Sequence, residues 1–249
     1  DMVMPEMNGF DVLTAMNNNR QIEDIPVVMI SAENGIEHIE RAYDLGVTDY
    51  ISRPFDCMVV RRRVVNALIL AAKQKRLMRL AAEQIYEKEK ISDLMINIFS
   101  HIVEFRNGES GPHVLHIRTI TEVLLNRLVQ KTDRYSLTQE DIQLISSASA
   151  LHDIGKVSIP DEIINKPGKL TKEEFEIMKS HTTVGADILH DLPFSNEEPL
   201  LKTAYEIARW HHERYDGRGY PDGLTGEEIP IAAQVVSVAD VYDALTSVR

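Results

Sequence analysis

The chain has 249 residues and a formal net charge of −12, an acidity that excludes a general nucleic-acid binder, whose contact surface would be basic. Its 43% hydrophobic and 27% charged residues are those of a soluble globular protein, and no apolar run reaches the length of a membrane span. A lone cysteine, Cys57, excludes an internal disulfide and fits a reducing, cytoplasmic compartment.

Residues 1–56 alternate in a βα manner. Gly9–Asn18 carries Phe10, Leu13, Ala15 and Met16 at helical spacing. Ile25–Ile30 is a short β-branched run, as a buried parallel strand should be. A second helix from Ile36 to Leu45 is stopped by Gly46, and Asp49–Ile51 is a short strand that Pro54 closes. Residues 57–107 hold neither Pro nor Gly, which predicts one long helix. Val64, Leu68, Ala71, Lys75, Met78, Ala82 and Ile85 follow a 4-3 spacing, weakened by Lys75 and the alanines. Both a dimeric linker helix and an amphipathic helix packed on its own domain fit that pattern, and we favour the dimer. Nine Lys/Arg against three Glu in residues 57–90 read as a solvated face.

Asn107–Pro112 breaks the helix, and from there the chain reads as nearly all helical. Thr138 with Asp141, and Thr171 with Glu174, predict capping boxes. Ile142, Ile145, Ala148 and Leu151 predict a helix that ends on His152-Asp153, with Gly155 as its stop. Ile231–Leu245 is apolar nearly all round, which predicts a buried helix.

Within these elements stand Glu109, His113, His152, Asp153, His181, His211, His212 and Asp240. Each alone has an ordinary explanation: a loop acid for Glu109, a hydrogen-bonded core imidazole for His181 on the face of Phe175, Met178 and Val184. Together, with two adjacent pairs, they point to divalent metal ions, whose usual ligands are imidazole nitrogen and carboxylate oxygen. Asp153 has two oxygens and can bridge two ions. Such ions lower the pKa of water so that it attacks phosphorus near neutral pH, and Lys156 is placed to neutralise a phosphate oxygen. An exposed Lys at a helix end is the plainer reading of Lys156.

The series His152-Asp153-Ile154-Gly155-Lys156, Lys166-Pro167-Gly168-Lys169-Leu170, His181, His211-His212-Glu213, Asp216-Gly217-Arg218-Gly219-Tyr220-Pro221 and Ala239-Asp240-Val241-Tyr242-Asp243-Ala244-Leu245 closely resembles the HD-GYP family of HD-domain phosphohydrolases. The resemblance runs from about Glu109 to Arg249. It implies a helical domain that hydrolyses cyclic di-GMP to pGpG or GMP. The metal ligands implied are His113, His152, Asp153, His181, His211, His212 and Asp240, with Glu109 for a third ion and iron or manganese as the metal. Asp153 and Lys156 would be the catalytic residues; Lys156, Tyr220 and Arg249 would contact substrate. The family often has Arg three residues after the first ligand histidine; here His116 stands there, either backing the ligands from outside or competing with His113 for that role. Family domains continue beyond the equivalent of Arg249, so this chain reads as a fragment.

The front end, Asp1-Met2-Val3-Met4-Pro5-Glu6-Met7-Asn8-Gly9, resembles a response-regulator receiver domain entered in mid-motif. The likeness implies Asp1 as phosphoacceptor, Ser31 as the switch hydroxyl, Arg53 in place of the usual lysine, and Mg in the full-length protein. Arg keeps the charge without the compact ammonium geometry. The expected fold is mainly α: a partial doubly wound, flavodoxin-like receiver fragment (1–56), a last receiver helix with signalling linker (57–107), and a helical HD-type domain (108–249). A sensor histidine kinase is the implied upstream partner. Two rival readings stay open: hydrolysis of another cyclic dinucleotide or nucleotide, and a catalytically silent module that binds a diguanylate cyclase.

Overall fold

Asn8 caps the first helix reciprocally: its Oδ1 accepts the Asp11 amide at 3.0 Å while Asp11 Oδ2 accepts the Asn8 amide at 3.2 Å. That helix, α1 (Gly9–Asn18), opens a computed structural model that describes residues 4, 6–106, 112–193, 195 and 197–246. The chain divides into two compact units, residues 1–88 and 89–249.

In the first unit α1 is followed by α2 (Gln21–Asp24), β1 (Val28–Ser31), α3 (Ile36–Asp44) and β2 (Asp49–Ser52). The strands pair in parallel, Val28 opposite Asp49 and Ser31 opposite Ser52. Parallel neighbours need a crossover, which α3 supplies. Phe10, Leu13, Met29, Ala42, Val47 and Tyr50 form the core of this unit. The strand expected over Ile25–Ile30 is shifted to Val28–Ser31, and α2 had no counterpart in the sequence pattern.

Helix α4 (Cys57–Arg106) is continuous over 50 residues, as the absence of Pro and Gly predicts. The second unit then contains α5 (Pro112–Lys131), α6 (Gln139–Ser149), α7 (Asp161–Ile164), α8 (Lys172–His190), α9 (Pro199–Trp210) and α10 (Ile231–Thr246). Both expected capping boxes are formed, by Thr138 with Asp141 on α6 and by Thr171 with Glu174 on α8. A core of Ile117, Leu125, Ile142, Ala204, Ile207 and Val236 holds α5, α6, α9 and α10 together.

Four local expectations need correction. Helix α6 ends at Ser149, so His152 and Asp153 lie in the turn after it, and Ile154–Ser158 is a 3₁₀ segment. Gly155 serves close approach rather than helix termination: a Cβ there would lie 1.9 Å from the His181 carbonyl oxygen and 2.5 Å from the Gly185 nitrogen. Helix α10 is buried on one face only, through Ala232, Val236, Ala239 and Asp243, while Val238, Val241, Tyr242 and Leu245 are exposed. Phe175 is likewise exposed, so the face shared with His181 is not core along its whole length.

Candidate metal centre

Three turns and helices aim imidazoles at one point by the same device. His152 Nδ1 lies 2.9 Å from the Ser149 carbonyl, His181 Nδ1 2.7 Å from that of Met178, and His211 Nδ1 2.9 Å from that of Ile207. A carbonyl only accepts, so each Nδ1 carries the proton and each Nε2 is left with a lone pair. These rings are almost wholly buried. His181 Nε2 faces His211 Nε2 at 3.5 Å, and Asp153 Oδ1 lies 3.4 Å from the former and 3.9 Å from the latter. Two imidazole lone pairs and a carboxylate oxygen thus converge with no proton between them.

Asp153 Oδ1 and His152 Nε2 are buried and lack a hydrogen-bond partner. Such groups are costly unless a cation compensates them. Asp153, His181, His211 and His212 can offer one ligand atom each within 4.8 Å, and so can His113, His152 and Asp153. Asp153 belongs to both sets, the position a bridging carboxylate would take. The donor set therefore fits divalent cations.

The electrostatics agree for three of the imidazoles, whereas at His152 burial is outweighed by the Asp153 and Asp240 charges, which carry it up to about 9 until a cation takes the proton's place. Burial, then the neighbouring His212 and His152, hold His211 well below the ordinary imidazole range. Burial, then His181, carries His212 down to about 3, and burial lowers His181. Neutral imidazole is the ligating form. Burial pushes the Asp153 carboxyl up, but Lys156 and His152 outweigh it and leave it well below the usual carboxylate range. Lys156 Nζ sits 2.7 Å from Asp153 Oδ2, so its ammonium is at the centre rather than at a solvated helix end.

His113 is oriented by a residue the sequence pattern did not single out. Its Nδ1 lies 2.6 Å from Asp243 Oδ2, and its Nε2 lies 3.8 Å from Asp240 Oδ1. The other Asp243 oxygen meets His116 Nδ1 at 2.9 Å, with His116 half exposed. His116 thus stands outside the ligand cluster and backs it through Asp243. The signal for Asp243 was its place one helical turn after Asp240.

The Gly-Tyr-Pro loop is fixed from beneath. Glu213, buried, accepts the Asp222 and Gly223 amides on Oε1 at 2.7 and 2.9 Å. Asp222 accepts from Arg209 Nε and Nη2 at 2.7 and 2.9 Å and from Trp210 Nε1 at 2.8 Å. Gly219 leaves no room for a side chain, since a Cβ would lie 2.4 Å from Glu213 Cα. Tyr220 is thereby laid against His212, ring centroids 4.8 Å apart, with Phe175 and Lys179 beside it. Burial, then the Asp153 and Asp240 charges, raise the Tyr220 phenol, so it keeps its proton.

Glu109, Arg249 and Asp1 lie outside the described residues. In the first unit Ser31 and Arg53 stand at the same ends of β1 and β2, where the Arg53 amide donates to the Ser31 carbonyl at 2.8 Å. The Ser31 hydroxyl oxygen accepts the Glu33 amide at 3.2 Å. Two larger cavities, about 320 Å³ along Tyr205 and Trp210 and about 450 Å³ along Arg214 and Gln234, are lined by none of the candidate ligands. Among the described residues no helix is long and apolar enough to cross a membrane.

Comparison with known proteins identifies the families of the two parts of the chain. Residues 68–249 match the HD domain, and residues 1–65 match the response regulator receiver domain. Over 98% of this chain and 58% of its own length, a Vibrio cholerae protein named "Probable cyclic di-GMP phosphodiesterase" is 36% identical. The Xanthomonas campestris protein named "Cyclic di-GMP phosphodiesterase response regulator RpfG" is 33% identical over 100% of this chain and 65% of its own length. A Vibrio cholerae "3'3'-cGAMP-specific phosphodiesterase 2" is 40% identical over 65% of this chain and 29% of its own length. The chain thus spans about two thirds or less of these relatives.

Proposed function

This chain belongs to the HD-domain family, with a receiver-type N-terminal part, and on that footing we propose that it is a metal-dependent phosphodiesterase that hydrolyses cyclic di-GMP to pGpG or GMP. The observation that carries the reading is the convergence of the His181 and His211 Nε2 atoms on Asp153 Oδ1. His113, His152, Asp153, His181, His211, His212 and Asp240 would hold two divalent ions, iron or manganese, and Glu109 would serve a third. When bound, such ions supply Lewis acidity and stabilise charge developing at phosphorus.

The chain's own side chains do the rest. Asp153 keeps its charge because Lys156 sits against it. Lys156 Nζ, so anchored, presents its positive charge to a non-bridging phosphate oxygen. Tyr220 keeps its hydroxyl proton and can donate it in a hydrogen bond to substrate. Arg249 would add a second cationic contact. Upstream, residues 1–56 would act as receiver and 57–107 as linker to an HD-type domain over 108–249. A sensor kinase would phosphorylate Asp1 with Mg bound, and the exposed Leu68, Met78 and Ile85 of the 4-3 seam on α4 would pair with a second copy. The single exposed cysteine, Cys57, and a nucleotide messenger as substrate fit work in the cytoplasm.

The likeness to a 3'3'-cGAMP-specific relative favours one alternative, the hybrid cyclic dinucleotide as substrate. Direct competition decides between them. Anaerobic turnover of an equimolar mixture under iron or manganese should consume cyclic di-GMP first. Preferential loss of the hybrid would reassign the substrate, and no turnover of either under both metals would sink the phosphodiesterase reading.

A further inference from the structure

The start of α8 presents an aromatic side chain that neither the core nor the candidate ligands account for. Phe175 is 46% exposed, on a helix whose buried side is made by Thr182, Ala186 and Leu189. A lone exposed phenylalanine is ordinary. This one stands at the outer end of a row of rings that begins at the metal centre. His212 stands T-shaped to His181 with centroids 5.1 Å apart, and Tyr220 lies along His212 at 4.8 Å and 31°. Phe175 then stands T-shaped to Tyr220 at 6.3 Å and 81°.

The phenyl ring is held in place. Lys179 Nζ sits 5.6 Å from the Phe175 centroid and 5.7 Å from that of Tyr220, and Glu176 fixes this ammonium at 2.7 Å. Just before Phe175, Thr171 and Glu174 close their capping box, and Lys166 Nζ donates to Glu174 Oε1 and Oε2 at 2.7 and 2.6 Å. Lys166 opens the Lys-Pro-Gly-Lys-Leu motif, which supplies none of the candidate ligands. Its pairing ties that loop to the turn carrying Phe175, so the ring is positioned before any ligand arrives.

A phenyl ring has no hydrogen bond to offer. What it recognises is another flat, weakly hydrated face, and a nucleobase is such a face, joined through one sugar to its phosphodiester. Along the axis of α8, Phe175 lies roughly 9 Å from His181. That is within the reach of one nucleotide, so a phosphodiester can rest at the metal centre while its base meets the phenyl ring.

We propose that Phe175 is the stacking platform for a purine base of the cyclic dinucleotide, and that it sets affinity for the substrate rather than the rate of bond cleavage. This rests on the phosphodiesterase reading above. Lys166, Glu174 and Lys179 act through the ring, as positioning residues.

The test is steady-state hydrolysis of cyclic di-GMP and of 3'3'-cGAMP by the metal-loaded full chain. Wild type, Phe175→Ala, Phe175→Leu and Phe175→Trp are compared, with metal content and circular dichroism measured on each. Phe175→Ala should raise KM roughly 5–100-fold, the loss of one stacked base, while kcat and bound metal stay as they are. Phe175→Trp should restore KM. Phe175→Leu, which keeps apolar bulk without a flat ring, should not. An unchanged KM in Phe175→Ala, or a leucine variant as good as the tryptophan one, overturns the stacking role and leaves the phosphodiesterase reading standing. A fall in kcat or in metal content with KM unmoved overturns it too. If Phe175→Ala does not fold, leucine against tryptophan decides by the same criterion. No turnover of either dinucleotide by wild type refutes the underlying reading instead, and the stacking role falls with it.

Discussion

The two units of this chain treat buried polar atoms in opposite ways. In the first, the buried Ser31 hydroxyl closes on the Glu33 amide, just as the exposed Asn8 and Asp11 satisfy each other at the start of α1. In the second, His152 Nε2 and Asp153 Oδ1 are buried with no hydrogen-bond partner, and the lone pairs of His181 and His211 face each other. Polar groups that serve stability close locally; polar groups that serve a ligand are held open by their surroundings. The cost of that openness sits on Nδ1 anchors, on Asp243 and on Lys156, which fix the ligand atoms without saturating them.

The sharpest way to break the contrast is to remove the residue common to both ligand sets. Asp153→Asn should lower phosphodiesterase turnover by more than the roughly 10–100-fold that outer partners contribute, and strip metal from the protein. Retained activity with retained metal would contradict the shared role of Asp153. Next comes the packing that brings His181 to His152. Gly155→Ala places a Cβ against backbone of α8 and should destabilise the second unit by about 1–3 kcal/mol, read by denaturant unfolding. An unchanged midpoint would mean the approach of those segments is looser than described.

How much of this was legible in advance follows from the range of each signal. Helices α1 and α3 carry stop signals or caps within a few residues, and their bounds stand close to those expected. Strand β1 starts three residues late, and α2 has only four residues, too few for a period. Helix α6 was read three residues too long because Ala150 and Leu151 continue its apolar pattern. What ends it is tertiary: His152 folds back on the Ser149 carbonyl, and Gly155 packs on α8. The imidazoles and acids could be picked out because ionisable side chains in apolar segments need a reason. Asp243 was missed although it lies one helical turn after Asp240.

Smaller effects sharpen the comparison. Thr138→Ala removes the α6 cap without touching the centre, so the unfolding midpoint should drop by roughly 2–4 °C while metal content stays fixed. Metal loss in that variant would show that the helix end and the site are not separable. Smallest is the Asp222 clamp under the Gly-Tyr-Pro loop. Its hydrogen bond to Arg209 lowers the Asp222 pKa below the ordinary 3.8, so its stabilisation is present above that value and disappears as pH falls through the folded value. Asp222→Asn should therefore melt slightly earlier than wild type at pH 7, with the gap closing in acid. A gap that persists after pH has fallen below the folded value would assign the effect to shape rather than charge.

The most direct test of the central claim is elemental analysis of the anaerobically purified chain beside His211→Ala. The account predicts at least two transition-metal ions per wild-type chain and a loss in the variant, because His211 Nε2 is one of the converging lone pairs. A folded wild-type chain that neither carries metal nor takes it up when offered iron or manganese would contradict it.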